Sequence, residues 1–123
     1  MRADVETGDN VLFNGLILRG GTPKRILFRA LGPSLTVNGS PLPGTLQDPT
    51  LEVYDANGTL LMGNDNWKDA INRTEIEGTG LAPTDDRESC VLLTLPGADY
   101  TSIVRGKNGT TGIALGETYK LNN

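Results

Sequence analysis

Glycine and proline divide this chain into short apolar runs, and that division limits the possible folds more than any other feature. The 123 residues contain 16 glycines and 7 prolines, and apolar runs rich in Leu, Ile and Val recur about every 10 residues between them. Short runs separated by turn residues are typical of antiparallel strands. The sequence therefore predicts a single all-β domain over residues 1–123: an antiparallel, jelly-roll-like β-sandwich of seven or eight strands with one short helix.

Two runs indicate how strands would be buried. In "KRILFRALG", Lys24–Gly32, apolar residues alternate with a period of two, which predicts a strand with two distinct faces. Its two predicted faces are Ile26, Phe28 and Ala30, and Leu27, Arg29 and Leu31. The run Cys90–Leu95 is apolar at nearly every position, which favours a central strand covered on both sides.

The turns are predicted from Asn-Gly pairs. Asn57-Gly58, between Thr50–Tyr54 and Thr59–Met62, predicts a type I′ hairpin turn. Asn108-Gly109 predicts a second hairpin, and residues 32–49 are expected to form a long loop with a short edge strand near Val37. In the last strand, residues 113–121, one face is made of small side chains, which suits close approach of a loop or the helix.

The stretch "GNDNW" permits three interpretations. The first is structural: Asp65 or Asn66 caps a helix over about 68–77, and Trp67 packs against an edge of the core. The second is a calcium site, because Asn64 and Asp65 supply oxygen ligands and Asp55 lies on a nearby loop. The third is sugar binding, with Trp67 stacking on a sugar ring beside Asn66. Three further loop carboxylates are candidates for additional calcium ligands: Asp48, Asp85 and Asp86.

Composition argues against several functions. The chain has no histidine, which removes Ser-His-Asp chemistry and His-ligated zinc. Its net charge of −4 without a basic cluster makes nucleic acid an unexpected partner. No apolar stretch has the length of a membrane span. The acidic run at Asp85 is expected to be solvated or bonded to backbone rather than catalytic, and Cys90 to be a buried apolar side chain. We therefore expect a protein that is not an enzyme.

A family resemblance adds a location. The segments "RALGPSL", "NDNW" and "VRGKNGTTG", in this order, resemble a module common in predicted secreted or cell-surface proteins of environmental bacteria, where it often occurs in several copies. The resemblance implies an extracellular or cell-surface location. Together with the missing catalytic set and the turn-rich all-β pattern, it leads us to expect a structural or adhesive module that assembles into fibres or arrays, with itself or neighbouring surface modules as partners. The polar first residues contain no signal peptide, so a secreted protein would carry that signal outside this fragment.

A looser resemblance links the chain to bacterial pre-peptidase C-terminal domains, through "EVYDANGTLL" and "LPGADYTSIV". Some of those sandwiches bind calcium or polymeric substrates. The insertion 64–88 departs from their pattern, so no ligand residue is carried over. This resemblance implies the alternative function, a glycan- or polymer-binding module stabilised by calcium.

Overall fold

The computed structural model of the protein describes residues 2–5 and 11–121, and it confirms the predicted all-β fold. Two four-stranded antiparallel sheets pack face to face, and a two-stranded ribbon and short helical segments lie between their strands in the chain. The strands are β1 (Arg2–Val5), β2 (Leu12–Ile17), β3 (Lys24–Leu31), β4 (Thr36–Val37), β5 (Ser40–Pro41), β6 (Pro49–Asp55), β7 (Leu60–Asn64), β8 (Ser89–Leu95), β9 (Asp99–Gly106) and β10 (Gly112–Leu121).

The order of strands defines two sheets. Sheet I has the order β1-β10-β3-β8, and sheet II has the order β2-β9-β6-β7. The ribbon β4-β5 stands apart from both. The helical segments are a 3-10 turn at Trp67–Asp69, the helix α1 at Arg73–Gly78 and a second 3-10 turn at Lys107–Gly109.

The main core lies between the sheets. Ile26 and Phe28 of β3 point inward, as their alternation predicts, and meet Leu51, Val53 and Val104 from sheet II. All five side chains are at most 1% exposed. Burying a side chain of this size contributes about 1.5–3 kcal/mol, so this layer supplies much of the favourable free energy of folding.

The small face of β10 also points into this core. A Cβ atom on Gly116 would lie 2.7 Å from Asn14 Nδ2, so the two sheets approach closely there. The close approach that the sequence predicts is therefore made by the opposite sheet and not by a loop or the helix.

A second apolar layer covers the outer face of sheet I. Leu27, Cys90 and Leu92 point away from the main core and pack against Trp67 and Ile76 from the helical segments. This cover explains the apolar character of β8 on both faces. The prediction that β8 is central is wrong: it is the edge strand of sheet I, and the helical layer buries its outer face.

A side-chain amide fills the gap beside this edge strand. The Cys90 N–H donates to Asn64 Oδ1 at 3.1 Å, and Asn64 Nδ2 donates in turn to the Cys90 carbonyl. Asn64 ends β7, so its amide links the edge strand of sheet II to the edge strand of sheet I. The amide offers one donor and one acceptor, as a neighbouring strand residue would.

The helix is shorter than predicted and begins later. It spans Arg73–Gly78 and not 68–77, and Asn66, at the start of the preceding 3-10 turn, makes no side-chain cap bond. The reason is that residues 67–72 are hydrogen-bonded to β8 and to the residue before it. The Trp67 N–H donates to the Glu88 carbonyl at 2.9 Å, and Asn72 Nδ2 donates to the Leu92 carbonyl at 3.0 Å. These bonds hold residues 67–72 against the sheet before regular helix starts.

The Asn-Gly pairs form turns that differ from the predicted ones. The hairpin at Asn57-Gly58 is confirmed, but only Gly58 has a positive φ, of 80°, so the turn is not type I′. The Asp55 carboxylate instead accepts from the N–H groups of Asn57 and Thr59, both at 2.9 Å. The hairpin that has two left-handed residues in its turn is Asn38-Gly39, with φ of 52° and 82°, inside the predicted loop.

The predicted hairpin at Asn108-Gly109 is wrong. Both residues have left-handed φ, but β9 belongs to sheet II and β10 to sheet I, so the turn carries the chain from one sheet to the other. Gly112 makes the crossing possible, because a Cβ atom there would lie 2.6 Å from the Leu46 nitrogen.

The amide link between the sheets can be tested by substitution. Asn64→Ala is expected to lower the free energy of unfolding by about 1–3 kcal/mol, because it leaves the buried N–H and carbonyl of Cys90 without partners. Asn66→Ala, two residues away, is the matched control and should change it by less than about 0.5 kcal/mol. Denaturant unfolding of the three proteins measures both values. Equal stability of the two variants would contradict the role given to Asn64.

Candidate functional site

The structure does not bring the three predicted calcium ligands together. Asn64 pairs with Leu51 in the β6-β7 register, whereas Asp55 lies at the turn, four residues further along β6. At about 3.3 Å per residue this separates Asp55 from Asn64 by about 13 Å. The Asn64 amide is bonded to Cys90 and the Asp55 carboxylate to its own turn, so both have structural partners.

Asp65 belongs to a different group, formed with Asp48 and Lys107. Lys107 Nζ donates to Asp65 Oδ2 at 2.5 Å, and the carboxyl of Asp65 acts on the titration of the Asp48 carboxyl. Burial first, and Asp65 second, raise the pKa of Asp48 above its ordinary value of 3.8. The contact with Asp65 raises the pKa of Lys107. This Asp48–Asp65–Lys107 cluster connects three parts of the chain: the residue before β6, the segment after β7 and the turn that carries the chain from β9 to β10.

Part of the cluster remains without a hydrogen-bond partner. The Oδ1 atoms of Asp48 and Asp65 are both buried and accept no hydrogen bond from the described residues. The Lys107 ammonium already provides a cation beside Asp65. Within residues 2–5 and 11–121, no three His, Cys, Asp or Glu side chains are grouped as metal ligands. Calcium binding at this end of the sandwich stays a prediction, and Asp48 and Asp65 are the residues on which it now depends.

The acidic residues of the loop before β8 have separate partners. Asp85 accepts from Arg87, which lowers the pKa of its carboxyl, and Asp86 pairs with Lys68 at 2.8 Å. Glu88 is fully buried, and its Oε2 accepts from the Gly32 N–H at 2.7 Å and the Ser34 hydroxyl at 2.7 Å. Glu88 therefore fixes the turn in "RALGPSL". Sequence reasoning missed it, because nothing in the sequence marks one of these acidic residues as buried.

Trp67 is part of the packed layer over sheet I. It is 6% exposed, and Lys68 Nζ and Arg73 Cζ each lie 5.7 Å from the centroid of its ring. The packing predicted for Trp67 is confirmed. The sugar-stacking interpretation of Trp67 and Asn66 needs an exposed ring, and the structure places this ring among Leu27, Ile76 and neighbouring apolar side chains instead.

Arg29 attaches the segment after α1 to sheet I through hydrogen bonds. Its guanidinium donates to Glu117 Oε1 at 2.7 Å, to the Leu81 carbonyl at 2.9 Å and to the Tyr119 hydroxyl at 3.0 Å. These bonds hold the chain after α1 over β3 and β10. The outer face of sheet I is therefore covered by apolar packing and closed by polar bonds.

The outer face of sheet II has no such cover among the described residues. Phe13, Ile17 and Leu60 are 50%, 62% and 51% exposed, and strand register places Ile103 and Tyr54 on the same face. We call this surface the sheet II face. It contains two shallow depressions of about 500 and 520 Å³; Glu52 lines the first and Tyr54 lines the second.

Polar groups are mixed into the sheet II face. Glu52 faces outward beside Arg105, with 3.4 Å between Oε1 and Nε, and it also raises the pKa of Tyr54, second to burial. Thr101 lies opposite Tyr54 in the register. The sequence predicts the strands but not the exposure of the sheet II face, because strand alternation does not reveal which faces a helix covers.

No protein-family model matches the chain, and no curated protein matches it. Among the residues that the structure describes, the helices are too short and too polar to span a bilayer.

The Asp48–Asp65 contact predicts a dependence of stability on pH. Because the pKa of Asp48 is raised, the folded protein binds this proton more tightly than the unfolded chain. The contribution of Asp48 to the free energy of unfolding therefore rises as the pH falls from neutrality through the raised pKa. Asp48→Asn should be most favourable to stability, relative to wild type, at neutral pH, and that advantage should shrink as the pH falls. Denaturant unfolding across the acidic range measures the difference.

Asp85→Asn is the control with the opposite sign. The lowered pKa of Asp85 stabilises the fold at neutral pH, and this stabilisation is lost as the pH falls. Its variant should therefore show a deficit at neutral pH that disappears in acid. Parallel curves for the two variants would contradict the assignment. The same unfolding experiments with calcium and with a chelator test the cation hypothesis, since calcium at 100-fold over its Kd would add about 2.7 kcal/mol.

Proposed function

We propose that the protein is a non-catalytic extracellular module with a structural or adhesive role, which contacts neighbouring modules or copies through the sheet II face. The observation that carries this proposal is the difference between the two outer faces. Sheet I is covered by its own chain, whereas sheet II presents Phe13, Ile17 and Leu60 about half exposed. Exposed apolar side chains on one face of a soluble protein commonly mark an interaction surface, and here they lie at both edges of the sheet, Phe13 and Ile17 on β2 and Leu60 on β7.

The size of the face indicates weak individual contacts. Four strands at about 4.8 Å spacing and six residues at about 3.3 Å rise give a footprint of about 400 Å². A stable interface buries about 800 Å² on each partner, so one such contact would be transient. Several copies in one chain or array would strengthen binding through multivalency, which agrees with the repeated module that the sequence resembles.

Two further features support the proposal. Cys90, the single cysteine, is fully buried, and burial raises the pKa of its thiol to about 12, so it is protected in an oxidising environment. In the loop before β8, Asp85 pairs with Arg87, Asp86 with Lys68, and Glu88 accepts from the Gly32 turn. That use of carboxylates favours a structural role over acid–base catalysis.

Removal of the exposed apolar groups tests the adhesive role. Phe13→Ser combined with Ile17→Ser should abolish concentration-dependent growth in mass, because it removes the two most exposed apolar side chains of β2. Ile71→Ser is the matched control, since Ile71 is 94% exposed but follows the 3-10 turn outside sheet I. Light scattering after size-exclusion chromatography at rising concentration gives the mass. Identical association of wild type and the double variant would remove the sheet II face from the proposal.

The alternative function is a glycan- or polymer-binding module, stabilised by calcium at the Asp48–Asp65 pair. The sheet II face favours it in one respect, because Tyr54 stands among groups that can bond to hydroxyls: Glu52, Thr101 and Arg105. An aromatic ring beside charged side chains on an open sheet suits a linear carbohydrate better than the buried Trp67 does.

Pull-down on insoluble cellulose, chitin and peptidoglycan tests this alternative. Tyr54→Ala should reduce the bound fraction several-fold, because it removes the stacking ring, whereas Tyr54→Phe keeps the ring and should retain most binding. Binding that is equal for the two variants, or absent in wild type on all three polymers, would count against a glycan ligand.

A further inference from the structure

The Asp48–Asp65–Lys107 cluster places a primary amine beside a carboxyl carbon. Lys107 Nζ lies 2.5 Å from Asp65 Oδ2. Since the carbon–oxygen bond is about 1.2 Å long, Nζ lies within about 3.7 Å of Asp65 Cγ. Reacting atoms held about 3–3.5 Å apart are in a near-attack arrangement. The pair is therefore close to the geometry in which an amine and a carboxyl group form an amide.

Hydrogen bonds hold the backbone that carries these two groups. The Lys107 carbonyl accepts from the N–H and the hydroxyl of Thr110, at 3.1 and 2.8 Å. Asp65 directly follows Asn64, whose side-chain amide is bonded to Cys90 in both directions. Groups fixed by a folded chain react as if at a very high concentration, about 10⁵–10⁸ M for well-oriented pairs.

Asp48 is the third group at this position. Its carbonyl accepts from the Lys107 N–H at 2.9 Å, and its carboxylate acts on the Lys107 ammonium electrostatically. The Oδ1 atoms of Asp48 and Asp65 are buried and have no hydrogen-bond partner among the described residues. Removing charged groups from water is costly, and a neutral amide in place of the ion pair would relieve part of that cost.

We propose that Lys107 and Asp65 form an intramolecular isopeptide bond, with Asp48 as the acid–base group. Lys107 Nζ attacks Asp65 Cγ, the C–N bond forms, one Cγ–Oδ bond breaks, and that oxygen leaves as water. Of the three protons of the ammonium group, one stays on the amide nitrogen and two leave with the oxygen. Asp48 takes a proton from the attacking amine and gives one to the departing oxygen. The net charge of the chain is unchanged, and the reaction needs no oxidant or second reactant.

A second lysine–aspartate pair shows what is particular to this position. Lys68 Nζ lies 2.8 Å from Asp86 Oδ1, and the side chains of Lys107 and Lys68 are similarly exposed, at 46% and 38%. The carboxyl groups differ, because the side chain of Asp86 is 71% exposed and that of Asp65 only 25%. Water solvates the Asp86 carboxylate, so this pair stays an ion pair and serves as an internal comparison.

The bond would close a covalent loop from residue 65 to residue 107, which contains the segment over sheet I together with β8 and β9. Cross-links stabilise a fold by constraining the unfolded chain, and longer loops give a larger effect. The linked Asp65 has no carboxylate, so calcium binding and the pH dependence at Asp48 belong to the unlinked chain. The bond uses no side chain of the sheet II face and is therefore independent of the proposed function.

Mass spectrometry of the intact, denatured chain tests the bond. Wild-type protein that has been incubated in the folded state at neutral pH should be lighter than its sequence by one water molecule. A protease digest should then contain a peptide that joins residues 65 and 107. Lys107→Arg keeps the ion pair without the reactive amine, so it should keep its full mass. Asp48→Asn should slow linking about 100-fold or more, which is the usual size of an acid–base contribution.

Thermal unfolding gives a second measurement. The linked wild type should have a Tm higher than that of Lys107→Arg by on the order of 10 °C, because the unfolded chain retains the covalent loop. Lys68→Arg is the matched control, and it should link as completely as wild type. Peptides that carry Lys68 and Asp86 should stay separate, and wild type kept in denaturant should retain its full mass.

Three results would contradict the inference. Folded wild type that stays at full mass would overturn it. So would a loss of water that persists in Lys107→Arg, since that water would come from another position. Equal linking rates in wild type and Asp48→Asn would overturn the role of Asp48. None of these results depends on the sheet II face, whose association is measured with the Phe13→Ser, Ile17→Ser protein.

Discussion

The need to bury both faces of sheet I determines much of this structure. Strand β3 carries Ile26 and Phe28 on one face and Leu27 on the other, and β8 is apolar throughout. One opposing sheet can cover only one of these faces. The chain supplies the second cover from the segment between β7 and β8. The burial of Trp67, the displaced start of α1 and the amide link from Asn64 to Cys90 all follow from that requirement.

The same requirement separates structural from available surface. The segment that covers sheet I also occupies the polar groups that looked most like a binding site in the sequence. Asn64 bonds to β8, Asp86 pairs with Lys68, and Trp67 is enclosed. No comparable segment is left for sheet II among the described residues, so its outer apolar side chains remain accessible. The surface suited to binding therefore lies on sheet II, on the opposite side of the sandwich from the layer that encloses Trp67.

The sequence predicted what local chemistry decides. The alternation in β3 assigns each side chain correctly, and Asn57-Gly58 does form a hairpin. The sequence could not reveal features that depend on contacts between residues far apart in the chain. Residues on both sides of Asn108-Gly109 look like hairpin strands, but their sheets differ because Gly112 lets the chain pass close to Leu46. Cys90–Leu95 looks central, because a helical cover and a sheet neighbour produce the same apolar pattern. Glu88 is buried by a turn more than 50 residues away.

The burial of the single cysteine gives a probe of how the cover over sheet I opens. Cys90 is fully buried and packs against Trp67 and Ile76. A thiol reagent therefore reaches Cys90 only when that segment separates from β8, either locally or on global unfolding. The rate at which the native protein is modified measures the free energy of that opening.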